Sequence, residues 1–336
     1  MSAQQSLYQL GLTGIPIFNV NNNCATGSTA LFLARQAVES GKVGAALAMG
    51  FEEMVPGALA PTPSGRKPIM EMLNHAKDEI LGQLPDVMIT GQYFGGAALE
   101  YAEKYGARPE TFAALTVKSR RHAAHNPYAV FRDPVTVEEV LNSKPIFGPI
   151  TRLQCCPPTC GAAAAVIVSS DFAKKRGIHG VEIAAQAMTT DVDGAFTGRS
   201  MIKAIGFDMA AKAARQVYES AGVGPEDVQV VELHDCFTSN ELLSYEALGL
   251  TAIGTAERMI VDGDNTYGGK YVVNPSGGLL SKGHPLGATG LAQCAELVWQ
   301  LRGTAEKRQV DGARFALQHN LGLGGACVVT LYRRDR

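Results

Sequence analysis

The amino-acid sequence predicts a layered α/β fold, and three observations carry that prediction. Short apolar, β-rich runs alternate with segments whose apolar residues recur at helical spacing, the pattern of sheets covered by helices. Apolar residues make up 46% of the chain and charged residues 18%, a balance that excludes extended disorder. The 336 residues suffice for one large or two medium domains, and 37 glycines with 16 prolines point to many tight turns.

GIPIFNVNNN (Gly14 to Asn23) reads as an extended segment ending in an Asn-rich turn. From Thr26 to Ser40 the residues Ala30, Leu31, Ala34, Ala37 and Val38 fall at helical spacing, and Gly41 supplies a stop. Val43 to Phe51 suits a buried strand, whereas Glu52 to Gln92 mixes Pro, Gly and polar residues as a peripheral excursion does. Helical patterns follow at Tyr93–Tyr105 and Pro109–His125, and Cys160 to Ser169 reads as a turn into an inner strand. The remainder predicts strands at Val181–Met188 and Val228–Leu233 and helices at Ile205–Ala221, Asn240–Leu248 and Leu291–Leu301. Arg314–Gln318 and Ala326–Tyr332 close the chain as a strand pair around a glycine turn. GAAAAVIV from Gly161 and GGACVVTL from Gly324 echo one another, through duplication or through convergence on small residues and strand formers. The expected organisation is an N-terminal half over 1–170, with a peripheral loop excursion at about 52–125, and a C-terminal half over 171–336.

Composition excludes several functions. Thirty Lys and Arg against 32 Asp and Glu give a formal charge of -2, so no net field attracts nucleic acid or an anionic membrane. MSAQQSLYQL lacks the basic and apolar regions of a secretory leader, and no apolar run approaches about 18 residues, so stable membrane insertion is not expected. Seven cysteines, at 24, 155, 156, 160, 236, 294 and 327, form no disulfide framework and suit a reducing compartment. Cys155, Cys156 and Cys160 lack the paired CxxC spacing of a zinc site, so no metal is expected. Neither a Walker A loop nor a dinucleotide fingerprint is present, which argues against ATP and nicotinamide cofactors.

Four short blocks carry reactive chemistry. In NNNCATG, Cys24 stands at a turn before a helix, where backbone N–H groups and the helix dipole can favour a thiolate; it also reads as a small core residue. His284 lies in GGLLSKGHPLGATG, whose glycines allow an imidazole to approach a thiol, although a turn histidine is often structural. His234 and Cys236 in HDCF follow the strand VVEL, a strand-end placement typical of ligand sites, with Asp235 free to cap the next helix. QHNLGLGG offers the Asn320 amide and the Gly322 backbone N–H as oxyanion donors, or simply a turn between strands.

Together NNNCATG, HDCF, GHPLGATG and HNLGLGG, in that order and over essentially the whole chain, closely resemble the thiolase superfamily, specifically the sterol carrier protein 2 type thiolases. The resemblance implies a thiolase fold: two related mixed-sheet halves in α-β-α-β-α layers. The first half is expected to be incomplete, because relatives carry a further strand–helix–strand–helix segment ahead of the region matching Gly14. It also implies Cys24 as nucleophile, His284 as base and oxyanion donor, His234 in the oxyanion site and Cys236 as acid/base. Asn320 stands where many other thiolases place their acid/base cysteine, and Cys24 and Gly322 match the family's backbone donors.

The implied reaction is thiolytic cleavage of a 3-oxoacyl-CoA of medium-chain, branched or sterol side-chain type through a Cys24 thioester. Coenzyme A is then a substrate, no cofactor is tightly bound, and no residues are assigned to hold CoA. The basic run Lys118–Arg121 with His122 and His125 either touches CoA phosphates or forms a solvated helix face. Cys160, ahead of GAAAA, is expected to pack behind the site. Implied partners are acyl-CoA, CoA, a second copy in a homodimer and an accessory lipid-binding protein. Two rival readings are a retro-aldolase of steroid side-chain CoA esters and a noncatalytic lipid-CoA-binding or partner subunit. The end at Arg336 carries no SKL-type address, which favours the cytoplasm over the peroxisome.

Overall fold

A computed structural model describes residues 2–55 and 70–334. Helix α1 (Ser2–Gln9) leads through coil to α2 (Thr26–Glu39) and β1 (Ala45–Glu52). Helices α3 (Glu71–Leu81), α4 (Ile89–Tyr105), α5 (Pro109–Ala123) and α6 (Val137–Leu141) follow, then the hairpin β2 (Pro145–Phe147) and β3 (Ile150–Thr151), and β4 (Gly161–Val168). Next come α7 (Ser170–Lys175), β5 (Val181–Thr189), α8 (Met201–Ala204), α9 (Phe207–Ala221), β6 (Val230–Glu232), α10 (Thr238–Ala247) and α11 (Ala256–Val261). The chain closes with β7 (Val272–Val273), α12 (Gly278–Lys282), α13 (Thr289–Arg302), β8 (Phe315–Gly322) and β9 (Ala326–Arg334).

Five strands form a mixed sheet in the order β5-β9-β8-β6-β7, with β8, β6 and β7 parallel and β9 antiparallel to both its neighbours. A second sheet pairs β1 with β4, antiparallel over their whole length. Helices α2 and α13 pack against each other between the two sheets, and α9 covers the far face of the larger one. Alternation along β1 sends Ala46 and Ala48 inward to Leu31, Leu291 and Leu297, and leaves Leu47 and Phe51 outward. The outer face of β1 and β4 therefore exposes Leu47, Phe51 and Val166.

Gly14–Asn23 lies outside the named strands, with Phe18 82% exposed, and ends in the Asn-rich turn before Cys24. The structure departs from the sequence reading in two places. Helices α4 and α5 fall where the helical patterns at Tyr93–Tyr105 and Pro109–His125 place them, but the stretch is not peripheral: they bury Tyr93, Phe94, Tyr101, Phe112 and Leu115 in the main core, and α3 adds a helix at Glu71–Leu81; residues 56–69 lie outside the described residues. The basic run is not a continuous solvated face: Lys118, Arg120 and His122 are buried, whereas Arg121 and His125 are exposed. Lys118 Nζ donates to the Glu241 carboxylate, to Tyr245 Oη at 3.2 Å and to the Val273 carbonyl at 3.3 Å. All three ammonium donors are thus used, tying α5 to α10 and β7, and a buried pair is tolerated only when satisfied in this way.

Small residues set the spacing between the layers. A Cβ on Gly50 of β1 would lie 2.0 Å from the Gly287 carbonyl oxygen, so the strand meets the segment leading into α13 at backbone distance. Gly180, before β5, has nothing within 4 Å of such a Cβ. Gly50→Ala is expected to cost about 1–3 kcal/mol by overpacking, with Gly180→Ala within about 0.5 kcal/mol of wild type, measured by urea unfolding.

Candidate active site

Parallel register places the site. Glu232 at the end of β6 lies level with Gln318 of β8, so two residues further on His234 stands beside Asn320. The turn before α2 closes onto the same edge, with Ala25 N–H donating to Asn22 O at 3.0 Å and Thr26 N–H to Asn23 O at 3.1 Å. Asn23 takes the left-handed conformation, φ 52°, a geometry Asn tolerates better than most residues, and this turns Cys24 into the site. At Gly322 a Cβ would come 2.2 Å from Asn22 O, so only glycine lets the end of β8 lie against this turn.

The two histidine blocks are joined through Asp235. Its carboxylate accepts from Leu279 N–H at 2.7 Å and Leu280 N–H at 3.3 Å, in the first turn of α12. It therefore caps α12 rather than the helix that follows it in sequence, and α12 ends two residues before His284. Behind it, Glu232 accepts from Ser276 N–H and Oγ at 3.0 and 2.8 Å, and pairs with Lys282 at 3.5 Å. His284 N–H in turn donates to Thr159 Oγ1 at 3.1 Å. The rings of His234 and His284 meet edge to face with centroids 5.0 Å apart. Cys24 Sγ and one ring nitrogen of each histidine all lie within 4.8 Å of one another.

Hydrogen-bond polarity assigns both tautomers. With the Thr289 hydroxyl hydrogen directed at Pro285 O, 2.9 Å away, its oxygen accepts from His284 Nδ1–H at 2.7 Å. His284 Nε2 then carries a lone pair, and it is buried without a partner. Asn320 Nδ2 donates to the Cys24 carbonyl at 3.1 Å and to His234 Nδ1 at 3.1 Å, leaving His234 Nε2 to carry the ring proton. The site thus holds one imidazole acceptor and one imidazole donor beside one thiol.

Burial keeps all three groups neutral. It pushes His284 down to about 3, aided by Lys282, and His234 well below the usual imidazole range, aided by His284 and His319. Burial also pushes Cys24 up to about 12, outweighing a backbone hydrogen bond that lowers it. Desolvation thus favours the thiol over the thiolate at this turn.

Cys236 also belongs to this constellation, buried, with its thiol raised by burial and then by Cys156 and Cys24. Cys156 faces it across an antiparallel bridge between Cys155 and Phe237, with Cys156 N–H donating to Cys236 O at 2.9 Å. The adjacent cysteines 155 and 156 were the only sequence signal for this third thiol. Thr289, which sets the His284 tautomer, gave none. Asn320 spends both amide hydrogens on Cys24 and His234, so it supports the site through them rather than as a direct oxyanion donor. Cys160 is exposed, not packed behind the site. Replacing Asp235 with Ala is expected to cost about 1–3 kcal/mol in urea unfolding, since two buried N–H groups of α12 lose their acceptor.

The family models for the thiolase N-terminal domain and the thiolase C-terminal domain-like region match residues 1–139 and 197–332. Sterol carrier protein 2 of Rattus norvegicus is 54% identical over 98% of this chain and 61% of that protein, so the chain spans about three fifths of such relatives. Non-specific lipid-transfer protein-like 2 of Caenorhabditis elegans is 48% identical over 98% of this chain and 81% of that protein. Among solved structures, the Ltp2-ChsH2(DUF35) aldolase superposes with a TM-score of 0.77 and 26% identity, covering 94% of this chain and 78% of that one. The chain belongs to the thiolase family and has the thiolase fold.

Proposed function

We propose that this protein is an acyl-CoA C-acyltransferase of the 3-oxoacyl-CoA thiolase type. One observation carries the reading: a neutral thiol, Cys24, sits within 4.8 Å of both histidines, one presenting an Nε2 lone pair and the other an Nε2–H.

Cys24 Sγ attacks the C3 carbonyl of a 3-oxoacyl-CoA as its proton passes to His284 Nε2. His234 Nε2–H faces the negative charge that builds on a carbonyl oxygen, and backbone N–H groups at Cys24 and Gly322 serve the second carbonyl. The C2–C3 bond breaks with its electron pair going to C2, which takes the Cys236 thiol proton and leaves as acetyl-CoA or propionyl-CoA. The high pKa of Cys236 suits this step, because the thiol still holds its proton at neutral pH. The Cys236 thiolate then accepts the proton of incoming CoA, whose sulfur attacks the Cys24 thioester. The shortened acyl-CoA departs and His284 returns the proton to Cys24.

The likeness to an aldolase supports a second reading, retro-aldol cleavage of steroid side-chain CoA esters. That reaction uses no acyl-enzyme, whereas the paired thiols Cys24 and Cys236 supply one. The exposed apolar face of β1 and β4 supports a partner on that side, in keeping with a homodimer. Incubation with a medium-chain 3-oxoacyl-CoA is expected to add the mass of the shortened acyl group to wild type and not to Cys24→Ser, read by intact-protein mass spectrometry. His284→Ala is expected to slow that step by about 10²–10⁴-fold. Cleavage without an adduct would favour the aldolase, and neither cleavage nor adduct on folded protein would favour a binding subunit.

A further inference from the structure

We infer that Ser28, in the first turn of α2, is a positioning residue that, together with the Cys24 carbonyl, fixes the Asn320 amide and so sets the tautomer of His234. It touches neither histidine and acts through one hydroxyl hydrogen. The inference deepens the oxyanion role proposed for His234 and rests on that reading for its catalytic consequence.

The direction of every bond in this chain follows from groups that can only accept. Gln318 Nε2 donates to the Gly290 carbonyl at 2.6 Å, which identifies that atom as the amide nitrogen; it donates also to Ser28 Oγ at 2.8 Å. Ser28 Oγ, receiving that hydrogen, turns its own toward Asn320 Oδ1 at 2.8 Å. Asn320 Nδ2 is left to face the Cys24 carbonyl and His234 Nδ1, both at 3.1 Å. Ser28, Gln318 and Asn320 are fully buried, so no water substitutes for a lost partner.

Reversing Asn320 would place its oxygen against the Cys24 carbonyl oxygen. It would also present amide hydrogens to Ser28 Oγ, leaving the hydroxyl hydrogen without an acceptor. Both faults are costly in a buried network. Reversal would let His234 Nδ1 carry the proton instead, replacing the Nε2–H donor with a lone pair. Ser28 thus guards the sign of the oxyanion site from two residues away. Tyr332 Oη donates to Gln318 Oε1 at the far end, but Gly290 O already orients that amide. Loss of the Tyr332 hydroxyl therefore leaves the chain pointing the same way.

The test is the imidazole tautomer, read by two-bond ¹H–¹⁵N correlation on protein labelled in its seven histidines, with His234 assigned by loss of its signals in His234→Asn. Wild type is expected to show His234 protonated on Nε2 alone. Ser28→Ala, in which the Cys24 carbonyl alone orients the amide, is expected to add a minor Nδ1–H population to the Nε2–H form and to lower kcat about two- to tenfold with little change in KM, while Tyr332→Phe keeps the wild-type pattern. If Ser28→Ala does not fold, Gln318→Met, which frees the Ser28 hydroxyl, takes its place. Nδ1 protonation in wild type, or an unmixed tautomer in a folded Ser28→Ala, would overturn the inference. A tautomer that mixes as expected in a protein forming no acyl adduct would support the positioning role and overturn the thiolase reading instead.

Discussion

The site depends on one amide. Asn320, at the end of β8, donates one hydrogen to the Cys24 carbonyl and the other to the ring of His234, so a single side chain spaces the nucleophile turn from the strand end behind it. The remaining supports act on the same small volume. Asp235 ties the HDCF block to the helix that delivers His284, and Thr289 orients that ring. None of these bonds is worth more than about 1–3 kcal/mol alone, yet each decides which atom of a reactive group faces the substrate.

Desolvation is the second governing force. Burial makes a charge expensive and so keeps both histidines unprotonated and Cys24 a thiol. A resting ion pair would spend stabilisation on the ground state; a neutral site saves its donors for charge that appears during reaction. The same principle explains the polar interior elsewhere. Lys118 is buried only because Glu241, Tyr245 and Val273 take all its hydrogens.

The fold class was legible because strands and helices alternate with unlike periodicities, and the family because four motifs occur in one order. Cys24, His234, Cys236 and His284 could be proposed because few residue types do nucleophilic and acid/base chemistry, and the fold brings Cys24, His234 and His284 together beside the ends of β6 and β8. Their supports were illegible for a physical reason. Ser28 and Gln318 have no distinctive chemistry, and their importance lies in hydrogen-bond direction, which depends on neighbours about 290 residues apart in the chain. Asp235 looked like a cap for its own helix because sequence shows only local acceptors.

The central claim is that Cys24 rests as a thiol and is ionised only as it attacks. Thiolate absorption in the ultraviolet, taken as the difference between wild type and Cys24→Ser, tests it directly. With the thiol held near 12, the difference is expected to be flat at pH 9, where an ordinary cysteine is half ionised. A thiolate band already present at neutral pH would show a resting ion pair with His284 and contradict the account.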